Sequence, residues 1–293
     1  MRRRDGRRDR AAEGGMTASG TVVGPRRHGL RYRSSLSIRQ QRTERNMIEN
    51  YPAVSPERAR RIALVAGVLF LITYVTSIPA LWLFQPVLDD PAGYIAGAGA
   101  DNRIFLGAFL ELLLIIANIG TAVVLYPILK RQSEILALAY VTARLVECVF
   151  IAVGILSVLA VVSLRQDAAN ADSGSVAFVL AAIKDWTFLL GPGFVVGIGN
   201  GMLLGYLMYQ SGLVPRRLAM LGLVGGPLIC LSGIAVMFDV DQPGGPLQGI
   251  ATVPEFLWEL SLGLWLTFKG FLPSPVLSAG GAGATSPTAG VAT

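Results

Sequence analysis

Glu111, Arg144, Glu147 and Glu259 sit inside long apolar stretches of the chain, where an ionised side chain is costly and therefore a candidate for function. Tyr140, Arg144 and Glu147 are spaced i, i+4 and i+7, so a helix would carry all three on one face. Glu111 and Asn118 are likewise seven apart, and Asn200 lies in a third apolar stretch. Lipid offers no partner for such groups, so these faces should turn toward one another inside a helix bundle. One Arg cannot neutralise Glu111, Glu147 and Glu259 together, so at least one carboxylate should take a proton, reach water or await a cationic ligand. The alternative is a buried network of charges and hydrogen bonds whose only work is to fix helix register.

Glu255 reads differently. Thr252-Val253-Pro254-Glu255 has the spacing of a capping box with a first-turn proline, which gives Thr252 and Glu255 a structural role at a helix start. Gly193, Gly197, Gly201 and Gly205 recur at every fourth position and form a stripe suited to close helix packing or to a sliding surface. Gly191-Pro192-Gly193-Phe194 lacks the Asp that an intramembrane aspartyl protease would need.

Other chemistry is excluded by composition. His28 is the single histidine, which removes histidine-held haem, HExxH zinc sites and a Ser–His pair within the apolar region. Cys148 and Cys230 are the only cysteines, both in apolar stretches, and imply neither a disulfide framework nor a metal site. No metal or other cofactor is expected.

The elements that must position these residues are long. Of 293 residues, 53% are hydrophobic and 15% charged, with a mean hydropathy of +0.55, against about 45–50% and about 25% in soluble domains. Crossing about 30 Å of hydrocarbon takes about 20 helical residues. Six stretches qualify: 62–84, 104–129, 135–164, 186–209, 218–238 and 253–271. The expected fold is an all-α bundle of six transmembrane helices in a domain of residues 47–272. Ser55-Pro56-Glu57, Asp101 and Ser133 are placed to start the first three, Gly212 with Pro215 to close the fourth, and Pro127 to end the second. Pro79 and Pro192 should kink their helices. Residues 176–183 suit either a surface helix or an extension of the fourth span.

Charge placement orients the bundle. Arg58, Arg60, Arg61, Lys130, Arg131, Arg216, Arg217 and Lys269 share one side, whereas Arg103, Arg165 and Lys184 face the other among many Asp residues. By the positive-inside rule both termini should be cytoplasmic, in the cell membrane. Residues 1–46 carry 13 Arg against four acids, so the basic charge is concentrated in a tail without helical period and with Tyr32 as its one aromatic. Nucleic-acid binding is not expected from it. The tail should be disordered, with a start at Met16 or Met47 as an alternative to Met1, and residues 273–293 should be disordered as well.

The segments 143–148 (ARLVEC), 199–226 (GNGMLLGYLMYQSGLVPRRLAMLGLVGG) and 254–266 (PEFLWELSLGLWL) resemble those of the bacterial membrane proteins grouped as domain of unknown function 4386. The resemblance covers about 55–270 and implies a multi-span membrane protein without an assigned activity. The expected partners are the bilayer and a small solute or proton, with the oligomeric state open. Solute binding or transport at the polar interior is the leading expectation. A structural or partner-binding membrane protein is the first alternative, and an enzyme acting on lipid, with a Glu moving the proton, is the next.

Overall fold

The structure is a computed structural model that describes residues 52–98, 100–167 and 173–278. The expectations for the basic tail, including His28 and Tyr32, and for residues 279–293 lie outside the described residues. Within them the architecture is all-helical, with α1 (Pro56–Asp89), α2 (Asp101–Leu129), α3 (Glu134–Gln166), α4 (Ser173–Ser211), α5 (Arg216–Met237) and α6 (Pro246–Phe268). A short turn at Pro91–Gly93 and a wide one at Tyr94–Ala98 link α1 to α2. The first five helices are long and apolar enough to cross a membrane. α6 is long enough at 23 residues, but Glu255 and Glu259 near its middle lower its hydropathy.

Each helix packs on its neighbours in sequence, and α6 returns to α1, so the six form a closed ring. Short connections between packed neighbours make successive helices antiparallel. Hydrogen bonds locate the ends. Val54 N–H donates to the Leu277 carbonyl (2.9 Å) and Leu272 N–H to the Leu213 carbonyl (2.8 Å), so the start of α1, the end of α4 and the chain after α6 share one end. Arg131, just past α2, donates to the Val276 and Pro52 carbonyls there, and Arg60 reaches the last carbonyls of α6 at Leu266 and Thr267. At the opposite end Arg165 of α3 pairs with Asp101 of α2. Val276 and Leu277, beyond the end of α6, pack on the apolar core. The prolines and small side chains of 273–278 do not build a core of their own, but they cover one already present.

Several helix boundaries follow from local chemistry. Ser55 accepts from Arg58 N–H with Pro56 at the first position, and Ser133 accepts from Leu136 N–H, as their types imply. Gly212, at φ +65°, closes α4 by donating to the Met208 carbonyl, and Pro215 precedes α5. Two capping expectations are corrected. Asp101 makes no cap bond: its carboxylate instead receives Tyr94 Oη–H at 2.7 Å, Gln166 Nε2 at 2.9 Å and the Arg165 guanidinium. Thr252 is no cap either, because α6 begins six residues earlier at Pro246, and its hydroxyl donates to the Gln248 carbonyl inside the helix. Pro254 is tolerated in the interior of α6, where it reads from sequence as a helix start.

α4 departs most from expectation. Residues 176–183 extend the fourth helix, which starts at Ser173 and not at 186. Its turns widen to π geometry over Leu189–Val195 and Gly197–Leu204. Pro192 lacks an N–H and breaks the ladder at the first of these stretches.

Candidate functional site

The ring holds a partly open cavity of about 240 Å³, with exposed Ile78, Leu81, Phe188 and Phe256 in its lining. All six helices line it: Thr73 and Tyr74 from α1, Glu111 and Asn118 from α2, Arg144 and Glu147 from α3, Lys184 from α4, Ile229 from α5, and Glu255 and Glu259 from α6. A cavity of roughly 150 Å³ holds a benzene ring, so this one accommodates a small organic molecule.

On the α2–α3–α4 side both buried acids, Glu111 and Glu147, meet a cation. Lys184 Nζ donates to both Glu111 oxygens, at 2.6 and 2.7 Å, with the Phe84 ring centroid 4.8 Å from the ammonium. Lys184 is only 4% exposed, so its assignment to an outer loop is corrected: the helical extension places it one layer inside the bundle. Arg144 Nη1 donates to Glu147 Oε2 at 2.6 Å and Nη2 to Asn118 Oδ1, while Asn118 Nδ2 donates to Glu147 Oε1 at 3.1 Å. The three close a triangle across α2 and α3. Pairing and hydrogen bonding of this kind offset the cost of burying charge.

The α6 side is different. Glu259 accepts a hydrogen bond from Asn200 Nδ2, and Asn200, fully buried, also offers its backbone carbonyl to Trp258 Nε1 at 2.9 Å from within the wide turns of α4. Glu255 is 3% exposed, and neither carboxylate oxygen has a hydrogen-bond donor among the described residues. Its discounting as a helix cap is therefore corrected: Glu255 lies in the third turn of α6, away from the free N–H groups. Tyr74 Oη–H donates to the Phe256 carbonyl (2.7 Å), and the two rings stack edge to face at 4.9 Å beside the cavity.

The glycine stripe is a packing device for three of its four members. A Cβ on Gly197 would lie 2.7 Å from the Gly226 carbonyl, one on Gly201 would collide with the Gly226 backbone, and one on Gly205 would press on α5 between Ala219 and Leu223. Gly193 meets only its own helix. The same close approach admits the Glu255 carboxylate, whose Oε2 lies 2.6 Å from where a Gly201 Cβ would stand and 2.9 Å from a Cβ on Gly225. Gly226 of α5 is the partner the stripe implies but does not name, whereas Gly222 and Gly225 face Trp258 and Glu255 of α6.

Of the residues expected at the site, Glu111, Asn118, Arg144, Glu147 and Glu259 line the cavity. Asn200 stands behind Glu259, and Tyr140 is fully buried in the apolar cluster with Phe70 and Leu125, away from the lining. Sequence reasoning missed Lys184, Glu255 and Tyr74. The signal for Lys184 was present: an apolar run of eight residues before it, continuous with the next span. With Asp185, which is exposed, the cavity lining holds five acids (Glu111, Glu147, Asp185, Glu255, Glu259) against two bases, Arg144 and Lys184.

An all-helical bundle with five helices of membrane-crossing character around a charged cavity defines a helical membrane protein. The family described as Domain of unknown function (DUF4386) matches residues 65–270, and the chain belongs to it. Every cavity-lining residue falls inside that match. No curated protein and no solved structure matches the chain.

Proposed function

We propose that this chain is a multi-pass protein of the plasma membrane in which α6 also crosses, making six spans, and which binds a small solute in the central cavity and carries it, with or without a proton, across the bilayer. The observation that carries the reading is the charge imbalance in a cavity reached by all six helices: two cations are committed to Glu111 and Glu147, which leaves Glu255 and Glu259 without one. Residues held only for packing have no need of such groups at depth. The position of Glu255 and Glu259 on the inner face of α6 supports its crossing, since lipid would tolerate them on no other.

The orientation rests on the end that gathers Arg58, Arg60, Arg61, Lys130, Arg131, Arg216, Arg217 and Lys269, which belongs in the cytoplasm and takes both ends of the described chain with it. Burial of Lys184 against Glu111 sharpens the asymmetry to eight against Arg103 and Arg165. Single cysteines at Asp89, Asp167 and Gln242, all exposed, should react with an impermeant thiol reagent from outside intact cells, and one at exposed Lys269 should not. Labelling of Lys269→Cys from outside would reverse the topology.

The function is tested in proteoliposomes containing the full chain and an internal pH dye, presented with panels of small amines, amino acids, organic acids and sugars. Saturable flux that Glu259→Gln abolishes is the expected result. Folded protein that moves none of them and co-purifies with one fixed partner would favour the structural reading, for which the paired Glu111–Lys184 and Arg144–Glu147 groups are the observation in support.

A further inference from the structure

Resting on the reading of the cavity as a solute site, we infer that its ligand is a small organic monocation with an ammonium head group, held by Glu255 and Glu259 with its hydrocarbon part against Tyr74 and Phe256.

Glu255 and Glu259 are one helical turn apart on the cavity face of α6, so their carboxylates flank one stretch of wall. Glu259 has one donor, Asn200, whose own position is fixed by the Trp258 bond, and Glu255, a residue of the cavity lining whose carboxylate is buried beside Gly201 and Gly225, has none among the described residues. A carboxylate accepts up to about four hydrogen bonds. The two together thus give this wall acceptors and negative charge with almost no donors, which an ammonium with three N–H groups complements.

The opposite wall shows the same chemistry completed within the chain. Lys184 brings a primary ammonium to Glu111, takes both carboxylate oxygens and rests against an aromatic ring, Phe84. On the α6 side the rings are those of Tyr74 and Phe256, and the Tyr74 hydroxyl is bound to the Phe256 carbonyl, so its ring is held in place. A cation near an aromatic face gains a further attraction. The α6 wall therefore has carboxylates and rings, as the Lys184 wall has, and only the ammonium must come from elsewhere.

Two other ligand classes fit less well. An anion would face the five acids of the lining with both cations already bound. Calcium and magnesium take six or more oxygen ligands and zinc about four ligands of N, S or O, and among the described residues no three Asp, Glu, His or Cys side chains converge. The volume of about 240 Å³ also exceeds what a bare ion fills and matches an amine carrying a ring or short chain.

The test uses the full chain purified in detergent and three probes of one shape: benzylammonium chloride, benzyl alcohol and sodium benzoate. Binding is read as the rise in Tm with ligand concentration. Benzylammonium should raise Tm in a saturable way, and benzyl alcohol and benzoate should not. Glu255→Gln, with exposed Glu134→Gln as control, should weaken benzylammonium by about ten- to a hundred-fold, the size of one charge-assisted hydrogen bond. Glu259→Gln provides the same reading if Glu255→Gln does not fold. Equal stabilisation by benzyl alcohol would reduce the site to an apolar cavity and overturn the proposal, as would stabilisation by benzoate, no response to benzylammonium, or full benzylammonium affinity in both variants. Saturable flux of a neutral or acidic solute with no amine binding would overturn this inference and leave the transport reading standing. Amine binding without flux would do the reverse.

Discussion

Glu111 and Glu255 are the same residue type at comparable burial in one cavity, yet the helices around them treat them in opposite ways. On the α2–α3–α4 side, the Lys184 ammonium donates to both Glu111 oxygens, and Arg144 and Asn118 enclose Glu147. On the α6 side, glycines stand beside Glu255 where a donor could have been. What a buried carboxylate does thus depends less on its depth than on whether a neighbouring helix supplies a cation. The first side has the character of a bolt between helices, and the second that of a receptor.

The largest effect that would sharpen this contrast comes from Lys184. Lys184→Ala strands Glu111 and should cost about 3–5 kcal/mol, because removal of one partner of a buried pair leaves the other charge unmatched. Folded yield and Tm in detergent report it, and Lys184→Ala combined with Glu111→Ala should recover most of the loss. An unchanged Tm for Lys184→Ala would erase the distinction between the two sides. Arg144→Leu should behave in the same way and be rescued by Glu147→Leu.

An intermediate effect belongs to the glycine crossing that admits Glu255. Gly226→Ala pushes a methyl into the Gly197 and Gly201 backbone, which cannot rotate away, and should cost about 1–3 kcal/mol. Gly193→Ala, facing its own helix, should stay within about 1 kcal/mol of wild type. Equal thermal shifts for the two would show that the stripe is not a contact surface at all.

This pair also shows how far the sequence carries. The four-residue period is visible in the chain, and so is the small-residue face it produces. Which glycines are used is not, because that depends on where α5 crosses, and Gly193 lies beyond the crossing. The apolar stretches announce an all-helical membrane fold, and the spacing of Arg144 and Glu147 announces their pairing. Lys184 and Glu255 were misplaced for a common reason. Each sits near a local end signal, Asp185-Trp186 after the apolar run 176–183 in one case and Thr252-Val253-Pro254-Glu255 in the other, and local signals lose to tertiary packing when a helix gains buried contacts by running on. Asp101 repeats the lesson, its capping type overridden by Tyr94, Gln166 and Arg165.

The smallest effect lies outside the cavity, at the cluster that joins the α1–α2 link to the end of α3. Burial, and then the hydrogen bond to Asp101, push the Tyr94 phenol up to about 12 from its ordinary 10. The folded chain therefore keeps a proton that the unfolded chain releases between about pH 10 and 12. The stabilisation is complete below about 10 and disappears as pH rises through that window. Tyr94→Phe should cost about 1 kcal/mol at neutral pH and flatten the loss of Tm over this interval. A wild-type slope in Tyr94→Phe would assign the pH dependence to other groups.

The contrast between the two sides of the cavity is tested most directly by thermal unfolding of Glu111→Gln and Glu255→Gln side by side in the absence of added amine. Glu111→Gln strands the Lys184 ammonium and should lower Tm and folded yield sharply. Glu255→Gln removes a buried charge that no described residue pairs, and should leave Tm equal to or above that of wild type. Equal losses in the two variants, or a larger loss in Glu255→Gln, would contradict the account, since Glu255 would then be as much a part of the bolt as Glu111.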